Sequence, residues 1–356
     1  INKSQNSVYE TNNMKKLGIA VFGAGLIGKT HITRLLNSKE AFLAGISDPS
    51  PAGEAMAKEL NVPYTANYQD FITQHKPAGV IVATPNATHV EIGIACLKEK
   101  IPALVEKPIA DTLEEAARLC QAEIDYKTPI LVGHHRRHNA VLKTAKKIIQ
   151  SGQLGNMITA NVMSTFLKPD AYFEMAWRRQ KGGGPILINL IHEIDVLRFL
   201  FGQIKQVQAI SSNQQRGFEV EDTASVLLKF ESGLLATITQ SDTVTSPYSW
   251  DMSIGESEHY PKQSINSHFL MGTHGTVTLP QLDLWSYEGP RGWFEEITQK
   301  RNALHAMDPY EAQLKHFVKV IEGTEETICS ATEGYKTLEA TLAAKAAADG
   351  QTIIHL

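Results

Sequence analysis

Three polar residues spaced along one apolar segment could carry acid–base chemistry. Asn189, His192 and Asp195 recur every three residues, so they share one stripe of the helix that we predict over residues 186–201. Most other side chains of this segment are apolar, which predicts a buried helix whose polar groups need partners or a function. His192 is the best general acid or base because its ordinary pKa is near ~6.5. Asn189 could bind a substrate hydroxyl, and Asp195 could orient His192 or bind a hydroxyl; a satisfied core network is the alternative.

A second candidate for chemistry is the lysine of Glu106-Lys107-Pro108, which follows an apolar strand. A cis bond before Pro108 would fix a sharp turn and direct Lys107 into a cleft. An ammonium at that place can stabilise negative charge on a reacting oxygen. Desolvation could also lower the pKa of Lys107 enough for proton transfer. The alternative is a surface lysine.

A glycine-rich loop predicts the cofactor for such chemistry. The hexapeptide Gly-Ala-Gly-Leu-Ile-Gly begins at Gly23, directly after a buried strand and before a helix. Gly23 permits the tight turn, Gly25 lets a pyrophosphate approach the backbone, and Gly28 permits close packing of helix and strand. Leu26 and Ile27 begin the helix, whose free N–H groups favour phosphates. This pattern predicts a dinucleotide site.

The next strand ends at Asp48, which lies 20 residues after Gly28. An acid at this place binds the ribose hydroxyls of the adenosine and repels a 2′-phosphate, so we expect NAD rather than NADP. Asp48 also precedes Pro49, and a turn-forming aspartate is the alternative.

Other residues follow the ends of neighbouring strands, where ligands of open α/β sheets bind. Thr84 and Pro85 are expected to line the cofactor, together with Glu106. Asn86 could line it as well or could cap the next helix. We interpret His89 as a histidine on the helix surface.

The elements that must position these side chains change in type near residue 133. Before it, apolar strands alternate with helices, which is typical of a doubly wound parallel sheet of the Rossmann type. After it, longer strands and hairpins predominate, including a hairpin at residues 223–239, and two helices close the chain. The sequence therefore predicts a C-terminal α+β domain with an open, mostly antiparallel sheet.

The predicted domain limits follow from the same change. Residues 1–13 are polar and are expected to form a disordered extension, with Met14 a plausible natural start. Residues 14–133 form the NAD-binding domain. Residues 134–356 form the domain that binds substrate and mediates oligomerisation.

The glycine hexapeptide, Glu106-Lys107-Pro108 and the segment 182–195 together resemble the glucose–fructose oxidoreductase, inositol dehydrogenase and rhizopine-catabolism family. The resemblance covers nearly all of the chain from Met14. It implies a Rossmann domain followed by an open-sheet domain, with hydride transfer at a sugar or polyol carbon. It also implies that Lys107 and His192 flank the reacting carbon. This chain departs from the family at Ile188, where many members carry an aspartate four residues before the histidine; Asn189 stands beside it.

Further residues could line the substrate. The resemblance places the junction segment 134–138 at the cleft, so we expect Arg137 and His138 to line it. Lys168, Tyr172, Trp177 and Arg178 precede the glycines at 182–184 and could bind a hydroxylated or carboxylated substrate, with domain packing as the alternative.

Composition excludes several classes of protein. The 356 residues carry a net charge of −4 and no basic stripe, which argues against nucleic-acid binding. No apolar run is long enough for a membrane span. The three cysteines are far apart and lack C-x-x-C spacing, which predicts reduced thiols in a cytoplasmic protein. We expect no metal site at the histidines of the 134–138 segment, since adjacent histidines of an extended segment point in opposite directions and no Cys or acidic partner is expected near them.

Four aromatic residues late in the chain suggest packing or an interface, and with the open sheet they favour a homodimer or homotetramer. They are Trp285, Tyr287, Trp293 and Phe294. The function predicted is NAD-dependent hydride transfer at a secondary alcohol of a sugar, sugar acid, polyol or cyclitol, with no metal. The alternatives are an NAD-dependent glycosidase on the same fold and a non-catalytic dinucleotide sensor.

Overall fold

A computed structural model describes residues 16–256, 260–302 and 307–356. The expected disordered extension at residues 1–13 and the start at Met14 lie outside these residues. The described chain forms two sheets, one parallel and one mostly antiparallel. Both parts of the predicted fold class are confirmed.

The first sheet consists of six parallel strands joined by helices. Its strands are β1 (Leu17–Phe22), β2 (Ala41–Ser47), β3 (Tyr64–Thr65), β4 (Gly79–Val82), β5 (Ala103–Val105) and β6 (Ile130–Val132). The strand order is β3-β2-β1-β4-β5-β6, so the chain reverses direction across the sheet between β1 and β4. Ligands of such sheets bind at the carboxyl ends of the strands beside this switch point.

The helices of this half follow the strands closely. They are α1 (Leu26–Asn37), α2 (Pro51–Glu59), α3 (Tyr68–His75), α4 (His89–Lys98) and α5 (Leu113–Tyr126). A short 3₁₀ turn, Asn86–Thr88, precedes α4. Thr112 caps α5 by accepting a hydrogen bond from the Glu115 N–H, as the sequence pattern predicts. Sequence reasoning missed β3 and α3, because a two-residue strand shows no periodicity.

The second sheet has nine strands among the described residues. They are β7 (Met157–Thr165), β8 (Ile204–Ser212), β9 (Thr223–Phe230), β10 (Leu235–Ser241), β11 (His268–Gly272), β12 (Gly275–Leu279), β13 (Asp283–Tyr287), β14 (Ile297–Arg301) and β15 (Ile353–His355). Their order is β14-β13-β12-β11-β7-β10-β9-β8-β15. Among the strand pairs described in this second sheet, β7 and β10 form the only parallel pair. The predicted hairpin is β9–β10, with Thr223 opposite Ser241.

Helices cover one face of this sheet. They are α6 (Ala140–Gln150), α7 (Ile191–Phe201), α8 (Trp250–Ile254) and α10 (Ala331–Gly350), whereas α9 (Pro309–Ile321) packs into the core of the first sheet. The other face stays open, with Ile210, Leu227 and Leu235 at least 47% exposed. The predicted helix over residues 186–201 is two elements, because Ile186–Leu190 forms a wide π turn before α7. Such turns often occur at functional sites.

The two hydrophobic cores do not divide at residue 133. Leu314, Phe317 and Leu338, from the last two helices, pack into the core of the first sheet. The later part of α10, including Ala343 and Ala347, packs into the core of the second sheet. The predicted boundary therefore separates the sheets, whereas the C-terminal helices join the two cores. No described helix is long and apolar enough to cross a membrane.

Candidate active site

The glycine loop leaves open space where a dinucleotide must approach. Gly23 has a φ of +91°, and a Cβ there would lie 2.5 Å from the Ala83 carbonyl oxygen. A Cβ on Gly28 would lie 1.9 Å from the Gly23 carbonyl oxygen. A Cβ on Gly25 would meet nothing within 4 Å. Two glycines are thus required by the fold, and the third leaves the N-terminus of α1 clear for a phosphate.

Asp48 lies at the end of β2 and faces the same loop. Its carboxylate accepts hydrogen bonds from the Ala24 N–H at 2.6 Å and the Ser50 N–H at 2.7 Å. Partial burial acts to raise the pKa of Asp48. The hydrogen bonds from Ser50 and Ala24 lower it by more than burial raises it, so the pKa lies below its ordinary value. Asp48 therefore presents a negative charge beside the dinucleotide loop. The residues present fit a bound dinucleotide.

Lys107 lies at the end of β5, on the same edge of the sheet. The Lys107–Pro108 peptide is cis, as the sequence suggested. Burial, with the charges of Arg136 and Lys168, lowers the pKa of Lys107 to about 8 although Glu106 opposes this shift. No described residue accepts a hydrogen bond from its ammonium. Lys107 is therefore a free donor that exchanges protons near neutral pH.

The carboxylate of Glu106, the residue before Lys107, is buried. It accepts a hydrogen bond from His31 at 2.7 Å and one from the Lys107 N–H at 3.2 Å. Burial opposes ionisation, but His31 and Lys107 lower the pKa of Glu106. A Cβ on Gly133 would lie 2.8 Å from the Glu106 carboxylate, so the glycine makes room for it. Glu106 fixes the turn that carries Lys107.

His192 lies at the start of α7, directly after the π turn. Its ring meets the His135 ring edge to face, with centroids 5.6 Å apart. Burial and the charges of Lys107 and Arg136 lower the pKa of His192 well below its ordinary value. The imidazole is therefore neutral at physiological pH and can accept a proton close to the Lys107 charge.

Lys168 and Asn189 form a polar wall near His192, which follows Asn189 by three residues on the same helical segment. The Lys168 ammonium donates to Asn189 Oδ1 at 2.7 Å and pairs with Asp242 at 3.2 Å. It lies 4.7 Å from the centroid of the Tyr172 ring, and the Arg178 guanidinium lies 3.9 Å from that centroid. Trp177 is half exposed next to Arg178. The structure thus brings together five of the residues that the sequence offered for substrate.

Comparison with known proteins gives the same architecture. Residues 17–134 match an oxidoreductase family with an NAD-binding Rossmann fold, and residues 142–278 match the GFO/IDH/MocA C-terminal domain.

This chain belongs to the GFO/IDH/MocA oxidoreductase family.

Individual relatives are about a quarter identical in sequence to this chain over the residues that align. Inositol 2-dehydrogenase of Mycolicibacterium gilvum is 27% identical over 62% of this chain and 63% of its own length. The chain thus spans less than two thirds of that relative. The 1,5-anhydro-D-fructose reductase of Ensifer adhaerens is 28% identical over 92% of this chain and 96% of its own. WlbA dehydrogenase of Bordetella pertussis, solved with NADH and UDP-GlcNAcA, has a TM-score of 0.78 at 22% identity, covering 96% of this chain and 99% of its own. This last similarity supports the fold.

Within this family fold, Asp195 does not serve the site as we expected from its spacing. Its carboxylate is 1% exposed and binds the Arg137 guanidinium at 2.7 Å and the Thr337 hydroxyl at 2.9 Å. Burial opposes ionisation, but Arg137 and His134 lower the pKa of Asp195 to about 2. Both carboxylate oxygens accept from Arg137, and no described hydrogen bond joins Asp195 to His192. The expectation that Asp195 orients His192 or binds a hydroxyl is wrong, and Arg137, expected at the cleft, is its structural partner.

His138 is also misplaced by the sequence analysis. The segment is a 3₁₀ helix, His135–His138, and not an extended strand. His138 turns toward His316 of α9, with ring centroids 5.2 Å apart, and is buried. His135 is the histidine that meets His192. The described ring contact of His138 is therefore with α9 and not with His192, which does not support its assignment to the substrate.

His134 lies close to an acidic residue and a cysteine that are far from it in the sequence. His134, Asp195 and Cys329 are buried and place their ligand-type atoms within 4.8 Å of one another. The expectation that no acidic or thiol partner lies near is therefore wrong. Arg137 already binds Asp195 with two nitrogens, which disfavours a cation there. Independence from metals stays a prediction.

His89 is not a surface histidine. It is 1% exposed, and its two ring nitrogens contact the carbonyl oxygens of Thr84 and Pro108, each at 2.9 Å. It thereby ties together the turns that follow β4 and β5. Asn86 is exposed. Pro85, and not Asn86, occupies the capping position of the 3₁₀ turn, so Asn86 makes no capping hydrogen bond there. Asn86 stays a candidate for the cofactor, as do Thr84 and Pro85.

Sequence reasoning missed other residues around the reaction centre. The Tyr310 ring stacks on His135 at 4.4 Å and meets His31 edge to face at 5.6 Å. Arg136 pairs with Glu193 at 2.8 Å and with Asp251 at 3.3 Å. These residues come from α1, α8 and α9 or belong to a histidine–arginine run, and no local pattern in the sequence marks their contacts. Trp293 and Phe294, predicted to pack or form an interface, are each 98% exposed within the chain.

Proposed function

We propose that this chain is an NAD-dependent dehydrogenase or reductase that acts on a secondary alcohol of a sugar, polyol or cyclitol, or on the matching ketone. The observation that carries the proposal is a neutral His192 close to the ammonium of Lys107, which no described residue binds, beside the dinucleotide loop. The names of relatives that act on inositol and on anhydrofructose support the substrate class.

Gly23, Gly25, Gly28, Leu26 and Ile27 would hold the pyrophosphate at the start of α1, and Asp48 would bind the adenosine ribose. Thr84, Pro85, Asn86 and Glu106 would complete the cofactor side of the cleft. When bound, NAD accepts the hydride from the carbinol carbon. Asp48 favours NAD over NADP because its charge repels a 2′-phosphate.

His192 takes the hydroxyl proton as the alcohol is oxidised, and it returns that proton in the reverse direction. Lys107 donates a hydrogen bond to the same oxygen and stabilises its developing negative charge. In sum, the alcohol loses a hydride and a proton and becomes a ketone. Asn189, Lys168, Tyr172, Trp177 and Arg178 would hold the rest of the substrate.

Two features of the molecule extend the proposal. The open face of the nine-stranded sheet exposes Ile210, Leu227 and Leu235, and an apolar sheet face of this kind favours a homodimer or homotetramer. The three cysteines are free thiols, which fits a cytoplasmic location.

The test is a panel of sugars, sugar acids, polyols and cyclitols incubated with NAD and followed at the NADH absorbance. We expect stoichiometric NADH with at least one compound. Release of a sugar from a glycoside without net NADH would indicate a glycosidase instead. Binding of NAD with no turnover of any compound would indicate a dinucleotide sensor.

A further inference from the structure

The Lys168–Asn189 contact fixes the orientation of the Asn189 amide. A lysine ammonium can only donate hydrogen bonds, so the Asn189 atom at 2.7 Å from it is the carbonyl oxygen. The amide nitrogen makes no hydrogen bond to any described residue, so it is the atom of Asn189 left to donate to a ligand.

Asn189 is the hydrogen-bonding side chain at this point of the segment, since Ile188 before it has no polar atom. Asn189 and His192 are three residues apart on one helical segment, so their side chains are neighbours. A substrate group that meets the Asn189 amide must accept a hydrogen bond, as either oxygen of a carboxylate can.

Lys168, the partner of Asn189, shares its carboxylate with a second cation. Lys168 and Arg216 both pair with the buried Asp242, at 3.2 and 3.3 Å, and the buried Asp222 accepts a hydrogen bond from the Arg216 N–H at 3.0 Å. Arg216 also contacts Asp170 at 3.7 Å, but that carboxylate is fully exposed to water. Burial and the charges of Arg216 and Arg178 lower the pKa of Lys168, although Asp242 opposes this shift. An added negative charge would relieve the repulsion among these cations.

Arg178 is held close to this group without an acid of its own. A Cβ on Gly183 would lie 2.3 Å from the Trp177 carbonyl oxygen, so the glycine lets the Trp177–Arg178 backbone approach the start of the π turn. The Arg178 guanidinium donates to the Tyr172 carbonyl oxygen at 2.7 Å and stacks on the Tyr172 ring. No described carboxylate lies within ion-pair distance of it.

We propose that this wall of Lys168, Tyr172, Arg178 and Asn189 binds a carboxylate, so that the substrate is a sugar acid and not a neutral sugar or cyclitol. The carboxylate oxygens accept from the Asn189 amide and from the cations, while the hydroxyl of the reacting carbon faces Lys107 and His192. This proposal rests on the proposed function, since it names the substrate class of the same site.

The first test uses the unmodified protein and matched compounds. Glucuronate, galacturonate and gluconate are compared with their neutral counterparts glucose, galactose and sorbitol, and with glucuronamide, which keeps the carbonyl acceptor but loses the charge. For the best acid we expect kcat/KM about 10- to 100-fold above its neutral counterpart. The advantage should shrink as the salt concentration rises. Glucose 6-phosphate carries a phosphate at C6, the position of the glucuronate carboxylate, and should have a lower kcat/KM than glucuronate; an equal or higher kcat/KM would indicate a general anion site and overturn the carboxylate site.

Binding is measured alongside turnover, so the two proposals can fail separately. With NADH present, the shift in melting temperature is recorded for glucuronate, galacturonate and gluconate and for their neutral partners. A larger shift with at least one acid supports the carboxylate site even if no compound is turned over, a result that would contradict the proposed function alone. Equal or better turnover and binding of the neutral compounds would overturn the carboxylate site and leave the proposed function standing.

The second test changes the wall by one charge. Asn189→Asp puts an acceptor and a negative charge where the carboxylate binds, and Lys168 can still pair with the new side chain. We expect the ratio of kcat/KM for the acid to kcat/KM for its neutral counterpart to fall about 100-fold. Asn37→Asp, on the exposed end of α1, adds the same charge away from the cleft and should leave the preference intact. A fall of the same size for acid and neutral compounds in Asn189→Asp would contradict the proposal.

Discussion

The loop at Gly23 and the segment around Gly183 both begin a helix with glycines, yet their side chains acquire their roles in different ways. In the loop, the backbone itself supplies the site, and two glycines are required by contacts a few residues away or on the adjacent strand. In the segment 182–195, every role depends on a partner from a distant part of the chain, such as Lys168 for Asn189 or Arg137 for Asp195. Sites made from backbone can be predicted from local sequence, whereas sites made from paired side chains depend on the tertiary fold.

The largest effect is expected on turnover when His192 or Lys107 is replaced, with an exposed histidine as the control. His192→Ala and Lys107→Ala should each lower kcat by about 10²–10⁴-fold, because each removes a group from the reacting oxygen. Affinity for NAD, measured by titration, should be retained. His355→Ala, on the exposed strand β15, serves as the control and should keep full turnover. Near-normal turnover of either site variant would remove that residue from the reaction.

Replacing Asp195 should lower the stability of the protein and leave most of its turnover, the opposite of replacing His192. Asp195→Ala leaves the buried Arg137 without its main partner, and we expect the free energy of unfolding to fall by about 3–5 kcal/mol. The folded fraction should keep most of its kcat. Asp170→Ala removes an exposed carboxylate and should change the stability by less than about 1 kcal/mol. A large loss of kcat in Asp195→Ala with an unchanged melting temperature would restore the catalytic role that we reject.

The stability effect of Asp195 should also depend on pH. Its pKa in the folded protein is about 2, below the ordinary value of 3.8, so its ionised form stabilises the fold above pH 3.8. That contribution is lost as the pH falls from 3.8 toward 2. Chemical unfolding of the unmodified protein and Asp195→Ala should therefore give stabilities that converge in acid.

Within the glycine loop, two alanine substitutions should separate binding from folding. Gly25→Ala meets open space, so the melting temperature should hardly change while NAD affinity falls about tenfold. Gly28→Ala meets the Gly23 carbonyl oxygen and should lower the melting temperature. Calorimetric titration and thermal unfolding of both variants measure the two effects. If Gly25→Ala binds NAD normally, the phosphates do not pass over this residue.

The pH profile of kcat/KM tests the charges assigned to Lys107 and His192. Lys107 must be protonated to stabilise the alkoxide, so activity should fall as the pH rises through about 8. His192 must be neutral to accept the proton, so the acid limb should lie well below pH 6.5, the ordinary value for histidine. Lys107→Arg keeps the positive charge and should move the alkaline limb upward. An alkaline limb that stays in place in Lys107→Arg would assign it to another group.

The smallest effect is expected at Asp48. Asp48→Ser removes the charge that disfavours a 2′-phosphate, so the preference for NAD over NADP should narrow by about tenfold. The same change removes the hydrogen bond to the Ala24 N–H, so NAD binding should weaken as well. Kd values for both cofactors measure this shift. Stronger binding of NADP than NAD by the unmodified protein would contradict the assignment.

The sequence predicted both sheets, the dinucleotide loop, Asp48, and the positions of Lys107 and His192, because these depend on periodicity and on glycines with local contacts. It did not predict that His89 is buried, since that depends on carbonyl groups of two different turns meeting in space. It assigned Asp195 and His138 to the cleft because their partners, Arg137 and His316, could not be recognised without the fold. The π turn was also hidden, because the apolar pattern of residues 186–201 continues through it.

In the proposed reaction, a hydride passes directly from the substrate to NAD at Lys107 and His192. To test this transfer, the best substrate of the panel is prepared with deuterium on its carbon atoms, and the cofactor is followed by mass spectrometry. We predict that each substrate molecule consumed yields one NADH that carries one deuterium, and that His192→Ala forms this product far more slowly. Consumption of substrate without deuterated NADH would contradict the account.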